Sequence, residues 1–232
     1  MENIPHKESQ IHCVSNFEDF ISASFHEKMN AICWNRNLVG DFSEIVSQLE
    51  SNENIVEILP DDLLELQLSD QGQLARKILL EDLKALKDLG TSPTLNLIEF
   101  YDRDDSYPPF PTDVYSFHVD RSPVPVDTIL CTYYGASSEI LPNSQAIQKI
   151  QIPEIREDLK KLHDESEEGF ETFLSDNFFD LHYQEKPDSQ PITLELGNLY
   201  RLAIDHPESK VLPCVHRAPK EKKGEKRLLL IC

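Results

Sequence analysis

Between Tyr115 and Gly135 the chain reads YSFHVDRSPVPVDTILCTYYG, two extended runs joined at Pro123 and Pro125. Proline fixes its own φ and drives the residue before it out of the helical region, so the junction is extended. The second run, VDTILCTYY, is rich in β-branched and aromatic residues and stops at Gly135. It predicts a strand. The first run holds His118 and Asp120 two positions apart. In a strand such positions share a face, so an imidazole nitrogen and a carboxylate oxygen converge on one point.

More strands surround this stretch. TLNLIEFYD (94–102) alternates, and PITLELGNLYRLAI (191–204) does so with a turn at Gly197-Asn198. VLPCVHR (211–217) and RLLLIC (227–232) close the chain, while Ala31, Ile32, Cys33 and Trp34 predict a short buried strand. The proline-rich run 103–113 is a loop. Helical spacing appears in three places before residue 90. Asn16 is an N-cap for a face of Phe17, Phe20, Ile21 and Phe25. Asp41 and Glu44 suit a capping box ahead of Phe42, Ile45, Val46 and Leu49. A longer helix runs from Ser69 to Leu89 on a stripe of Ala75, Ile78, Leu79, Leu83 and Leu86, with Gly90 as its stop.

The expected fold class is α+β. Residues 1–92 form an N-terminal helical layer, with 1–14 as a loose leader. Residues 93–232 form a double-stranded β-helix, a jelly-roll or cupin-like core that holds the metal site. The whole is one structural domain. Residues 153–185 interrupt the core with eleven Asp/Glu against three Lys/Arg. They read as an acidic helical insertion, either a solvated outer face or a lid.

The net charge is −20, which disfavours general binding of phosphate backbones. The local exception is 217–227, with six Lys/Arg against two Glu. It is a solvated loop or an electropositive rim beside an anionic ligand. Five scattered cysteines without a CxxC pair argue for free thiols and a cytoplasmic protein. No apolar run reaches the ~20 residues of a membrane span, and no secretory signal opens the sequence.

His118 and Asp120 supply two of the three ligands of a 2-His-1-carboxylate set, the donors of non-haem Fe(II) oxygenases. His216 is the candidate third, because distant strands of a jelly roll lie side by side. Zinc accepts the same three ligands plus water. A 2-oxo acid co-substrate chelates iron through its 2-oxo and C1-carboxylate groups, and its far carboxylate needs a cation. Arg227, opening the last strand, is the candidate, with Arg217 as the competitor. Either Tyr133, or Thr132 together with Tyr134, faces the co-substrate. Arg121 orients Asp120, meets substrate or forms a surface ion pair. Cys131 and Cys214 flank the site on facing strands. His206 with Glu208 is a rival pair in a loop. His163 and His182 fall in the insertion as solvated residues, and His6, His12 and His26 are structural or exposed.

The runs PTDVYSFHVDRSPVPVDTILCTYYG, GNLYRL, CVHRAP and RLLLIC, with the early AICWNR, resemble the domain-of-unknown-function 1826 family. That pattern is in turn similar to Fe(II)/2-oxoglutarate dioxygenases: HxD, a distal His and a following Arg. The resemblance implies iron at His118, Asp120 and His216, with Arg227 on the 2-oxoglutarate tail. The substrate, a small molecule or a peptide, stays unspecified. The rival reading is a non-catalytic, zinc-handling cupin-like protein, and a third is a partner-binding scaffold.

Overall fold

A computed structural model describes residues 10–51, 53–104, 107, 110–163, 167–220, 222 and 224–232. His6 and most of the leader lie outside the described residues, as do Pro108, Pro109, residues 164–166 and Lys223. The first half of the chain runs β1 (Ile11–Val14), α1 (Phe17–Ser22), β2 (Ala31–Trp34), α2 (Phe42–Gln48), β3 (Ile55–Glu57), α3 (Pro60–Glu65), α4 (Asp70–Asp88) and β4 (Thr94–Ile98). Then come β5 (Phe117–His118), β6 (Asp127–Tyr134), β7 (Glu139–Ile140), β8 (Ala146–Gln148), α5 (Pro153–Leu162) and α6 (Phe170–Asp176). The chain ends with β9 (His182–Glu185), β10 (Ile192–Thr193), β11 (Leu199–Ala203), β12 (His216–Arg217) and β13 (Arg227–Ile231).

These strands make two sheets, ordered β1-β2-β11-β6-β13-β4-β3 and β10-β7-β12-β5-β9-β8. Among the described strands only β1 and β2 pair in parallel; β6, for example, is antiparallel to both β11 and β13. The architecture is mixed, with two antiparallel-rich sheets and helices.

The period-two alternation of β6 explains the layering. Ile129, Cys131 and Tyr133 join a core shared with the helices, which includes Phe20, Ile45, Leu79 and Leu86. Leu130 faces the other way, into a core with Ile140 of the second sheet and Leu194, just past β10. At roughly 25 cal/mol per Å² of apolar surface, burying both faces makes this strand the centre of the fold. Gly135 ends it at φ 85°, and a side chain there would meet the Lys226 carbonyl and Arg227 Cα. Only glycine suits such a turn.

The sequence-predicted helices form with local differences. Asn16 caps α1 by accepting from Asp19 N at 2.8 Å, but the helix stops at Ser22, before Phe25. Asp41 caps α2. Glu44 does not close the box onto Asp41. Its carboxylate instead accepts from Ser69 N at 2.7 Å and Ser69 Oγ at 2.6 Å, coupling α2 to the start of α4.

The leader is corrected at Ile11–Val14, which is an edge strand paired with Ala31–Trp34. The predicted strand at 94–102 ends at Ile98, and within 211–217 only His216–Arg217 pair. In the insertion, α5 and α6 pack on a separate cluster with Phe110 and Ile150. Its last residues, His182–Glu185, are strand rather than helix and lie between β5 and β8. Among the described residues no helix is long and apolar enough to cross a membrane.

Candidate metal centre

Phe117 and Val119 sink into a cluster with Leu141 and Val215 on one side of the smaller sheet. Alternation then turns His118 and Asp120 to the opposite side. The pairing itself ends at His118, so Asp120 stands just past the strand. It is held there because its carbonyl accepts from Asp205 N at 2.8 Å. His216 is the direct cross-strand partner of His118, which brings the two rings to 4.6 Å between centroids.

The three side chains meet. His118 Nε2 lies 3.8 Å from Asp120 Oδ1, and His216 Nε2 lies 3.6 Å from Asp120 Oδ2. One donor atom from each of the three lies within 4.8 Å of the others. Among the described residues no other group of three such donors is this close. Metal bonds of about 2.1 Å at a tetrahedral angle put donors roughly 3.4 Å apart. The two imidazole–carboxylate separations exceed that by only a few tenths of an ångström.

Both histidines are oriented by backbone. His118 Nδ1 donates to Ser116 O at 2.8 Å, and His216 Nδ1 donates to Cys214 O at 3.1 Å. Protons on Nδ1 leave both Nε2 lone pairs free for a metal. Thr128 Oγ1 donates to Asp120 Oδ2. The histidine side chains are 14% and 10% exposed and that of Asp120 35%, so the centre opens on the carboxylate side.

His182 departs from the sequence expectation. It is not solvated: it is 4% exposed, is the cross-strand partner of His118, and its ring lies 5.8 Å from the His118 ring. Its Nδ1 has no hydrogen-bond partner. The signal was present in Leu181-His182-Tyr183, where a polar residue alternates with apolar ones. His163 stays half-exposed, with its ring stacked on Phe173 at 4.9 Å. His206 stands outside the trio, and its Nδ1 accepts from Glu208 N at 3.2 Å.

The second predicted feature is a buried guanidinium. Arg227, 6% exposed, donates to Ser138 Oγ at 2.7 Å and Thr132 Oγ1 at 3.0 Å, with Tyr101 OH at 3.5 Å. Its Nε has no partner. Among the described residues it makes no ion pair, and burial pulls its pKa below the ordinary arginine value. Arg217, in contrast, is neutralised by Glu139 at 2.6 Å and lies over Phe117. Ser138 and Tyr101 carried no sequence signal.

Four neighbours make their contacts away from the metal centre. Tyr133 points into the helix-side core, where its hydroxyl donates to Asp82 Oδ2 at 2.6 Å. Tyr134 packs against that same core, because the register with β13 shifts between Leu228 and Leu229. Of its three alternatives Arg121 takes the ion pair: it joins Asp180 at 2.5 Å and Asp205 at 2.7 Å, tying the insertion to the loop after β11. Cys131 likewise faces the helices, 3.6 Å from Arg36 Nη2.

The electrostatics favour neutral rings at His118 and His182. Burial first, then His216, pulls His118 down to about 4. His182 falls to about 3, from burial first and then the His118 and Lys149 charges. For Asp120 burial opposes ionisation, but His216, Thr128 and His118 outweigh it and hold the carboxyl below its usual range. Unfolded, His118 takes up its proton near 6.5, whereas folded it does so only near 4. The unfolded state thus binds more protons in that window, so stability must fall as pH falls through it. The metal-free protein is expected to lose on the order of 3 kcal/mol from His118 alone, since each pKa unit is about 1.4 kcal/mol. Urea unfolding across that pH range measures the loss, and His118→Gln should remove the His118 share while the share of His182 remains.

No family model, no curated protein and no solved structure matches this chain.

Proposed function

We propose that the chain is an Fe(II)- and 2-oxoglutarate-dependent oxygenase of the hydroxylase type, with a jelly-roll core and a small-molecule or peptide substrate. The observation that carries this reading is the pairing of two features. A trio of two imidazoles and one carboxylate would serve zinc equally well. The buried Arg227, bonded to hydroxyls and lacking an acidic partner among the described residues, is what a zinc-handling protein has no need of. A buried cation is strongly disfavoured without an anion. The far carboxylate of 2-oxoglutarate provides one, with Ser138, Thr132 and Tyr101 as further contacts.

The spacing suits such a ligand. Thr128 touches Asp120 and Thr132 touches Arg227. Both lie on β6, four residues apart and therefore about 13 Å apart along the strand. A five-carbon dicarboxylate with a metal bond at one end and a guanidinium reach at the other covers that span. Lys220, Lys222 and Lys226 line the cleft that Arg227, Tyr101 and Tyr115 share. They would draw an anion toward a molecule of net charge −20.

Iron bound at the trio would supply the oxidative decarboxylation of 2-oxoglutarate to succinate coupled to hydroxylation. The chain's own residues hold and orient. Ser116 and Cys214 carbonyls aim the imidazoles, Thr128 aims the carboxylate, and Arg227 fixes the co-substrate's tail.

Protein loaded with Fe(II) is expected to release succinate from 2-oxoglutarate slowly even without substrate. Arg227→Lys should raise the 2-oxoglutarate concentration needed for half-maximal release by about tenfold or more, given ~1.5–3 kcal/mol for a charge-assisted hydrogen bond. Folded, iron-loaded protein that makes no succinate overturns the reading. Tightly retained zinc with no response to 2-oxoglutarate selects the zinc-handling alternative.

A further inference from the structure

At the far edge of the larger sheet two thiols stand opposite each other. β1 and β2 run in parallel with Cys13 and Cys33 as Cα partners. Neighbouring strands lie about 4.8 Å apart, inside the roughly 4.4–6.8 Å between Cα atoms that a disulfide spans. Both thiols also project to one face. Ile11, two positions before Cys13, and Cys33 itself pack in the core between the sheets, while Val14 and Ile32 pack on the helix side. Cys13 is exposed and Cys33 buried. A groove of about 560 Å³ is lined by both, with Met29, Asn198 and Tyr200.

We propose that Cys13 and Cys33 are a reversible disulfide site, oxidised by exchange with a small-molecule disulfide such as oxidised glutathione. The inference is independent of the metal centre's role. The exposed thiol reacts first. Cys13 thiolate attacks one sulfur of the small disulfide and expels one thiolate, leaving a mixed disulfide. Cys33 then loses its proton to water and attacks the Cys13 sulfur, expelling the second thiolate. The two protein thiols are oxidised and one small disulfide is reduced to two thiols. Burial first holds the Cys33 thiol up to about 12, with the adjacent Cys13 adding to the shift, so the closing step is the slow one and speeds up with pH.

Two of the three remaining cysteines are closed to exchange, and the half-buried Cys232 packs against the helix-side core. Cys131 and Cys214 are buried, one toward the helices and one between the sheets. The clasp also fastens a strand that starts beside Gln10, whose amide meets Cys214 Sγ at 3.8 Å. The Cys214 carbonyl in turn holds His216.

The test uses the native full chain equilibrated in glutathione buffers of rising oxidised fraction. Free thiols are then trapped with N-ethylmaleimide and mapped by non-reducing peptide mass spectrometry. The expected result is loss of two of the five thiols, with a Cys13–Cys33 linked peptide lacking two hydrogens. Cys33→Ser should stop at a glutathione adduct on Cys13, and Cys13→Ser should leave Cys33 reduced. The proposal is overturned if the wild-type protein stops at the adduct, keeps both thiols, or links a different pair. The wild-type map needs no variant to fold, so it decides alone.

Discussion

His216→Ala is expected to bind Fe(II) at least about a hundredfold more weakly than the wild-type protein. Loss of a group that merely supports a metal ligand already weakens binding by about 10–100-fold, and His216 is one of three direct donors here. The backbone around it is fixed by pairing with both β5 and β7, so removing the ring should leave the strand in place. His118→Ala should behave alike. His206→Ala should bind iron as the wild type does, because that ring stands outside the cluster. His182→Ala is the informative control. Its ring touches His118 but lies on the side away from His216, since the cross-strand row runs His216, His118, His182. It should keep one iron per chain with a smaller loss of affinity. Anaerobic competition with a chromogenic chelator measures all four. Equal affinity in His216→Ala, or loss in His206→Ala, would sink the assignment of the centre.

What the sequence made legible follows from the reach of each signal. The HxD pair was readable because alternation is local, and Phe117 and Val119 on either side of His118 mark which residues turn away. The helix from Ser69 to Leu89 was readable because its stripe persists over five turns and both ends carry capping residues. The meeting of residues 118 and 216 rested on the expected topology, and the register that pairs them is visible only in the fold. Parity was the weak point. Along β6 the sequence says that Thr132 and Tyr133 face opposite ways, but not which one faces the helices. Asp82, fifty-one positions earlier, settles that by accepting from Tyr133. Tyr134 escaped the rule altogether, because a register shift with β13 breaks the alternation. β1 looks like leader in the sequence because IHCV mixes polar and apolar residues and gains its meaning only beside β2.

Asp82→Ala should destabilise the protein by about 3–5 kcal/mol, the range for removing one member of a buried ion pair. Asp82 sits on α4 and grips Arg36 with both carboxylate oxygens at 2.7 Å. The two side chains are 8% and 7% exposed. Arg36 also donates to Gly197 O at 2.9 Å and lies over the Trp34 ring at 4.6 Å, so its position is set by contacts that survive the mutation. Truncating Asp82 leaves a largely buried guanidinium and the Tyr133 hydroxyl without their acceptor. Against a total stability of roughly 5–15 kcal/mol, that is a large share. Removing both charges is a different experiment. Arg36→Met with Asp82→Leu leaves one unpaired hydroxyl and adds apolar contact, so it should cost much less than Asp82→Ala alone. The pair's coupling in a double-mutant cycle should then exceed about 1 kcal/mol. Urea unfolding reads both quantities. Iron affinity supplies the second dimension, because Asp82 and the trio lie on opposite faces of the larger sheet. While the variant remains folded, its iron affinity should match the wild type's, and a parallel loss of affinity would mean that the helix layer does more than hold the sheet.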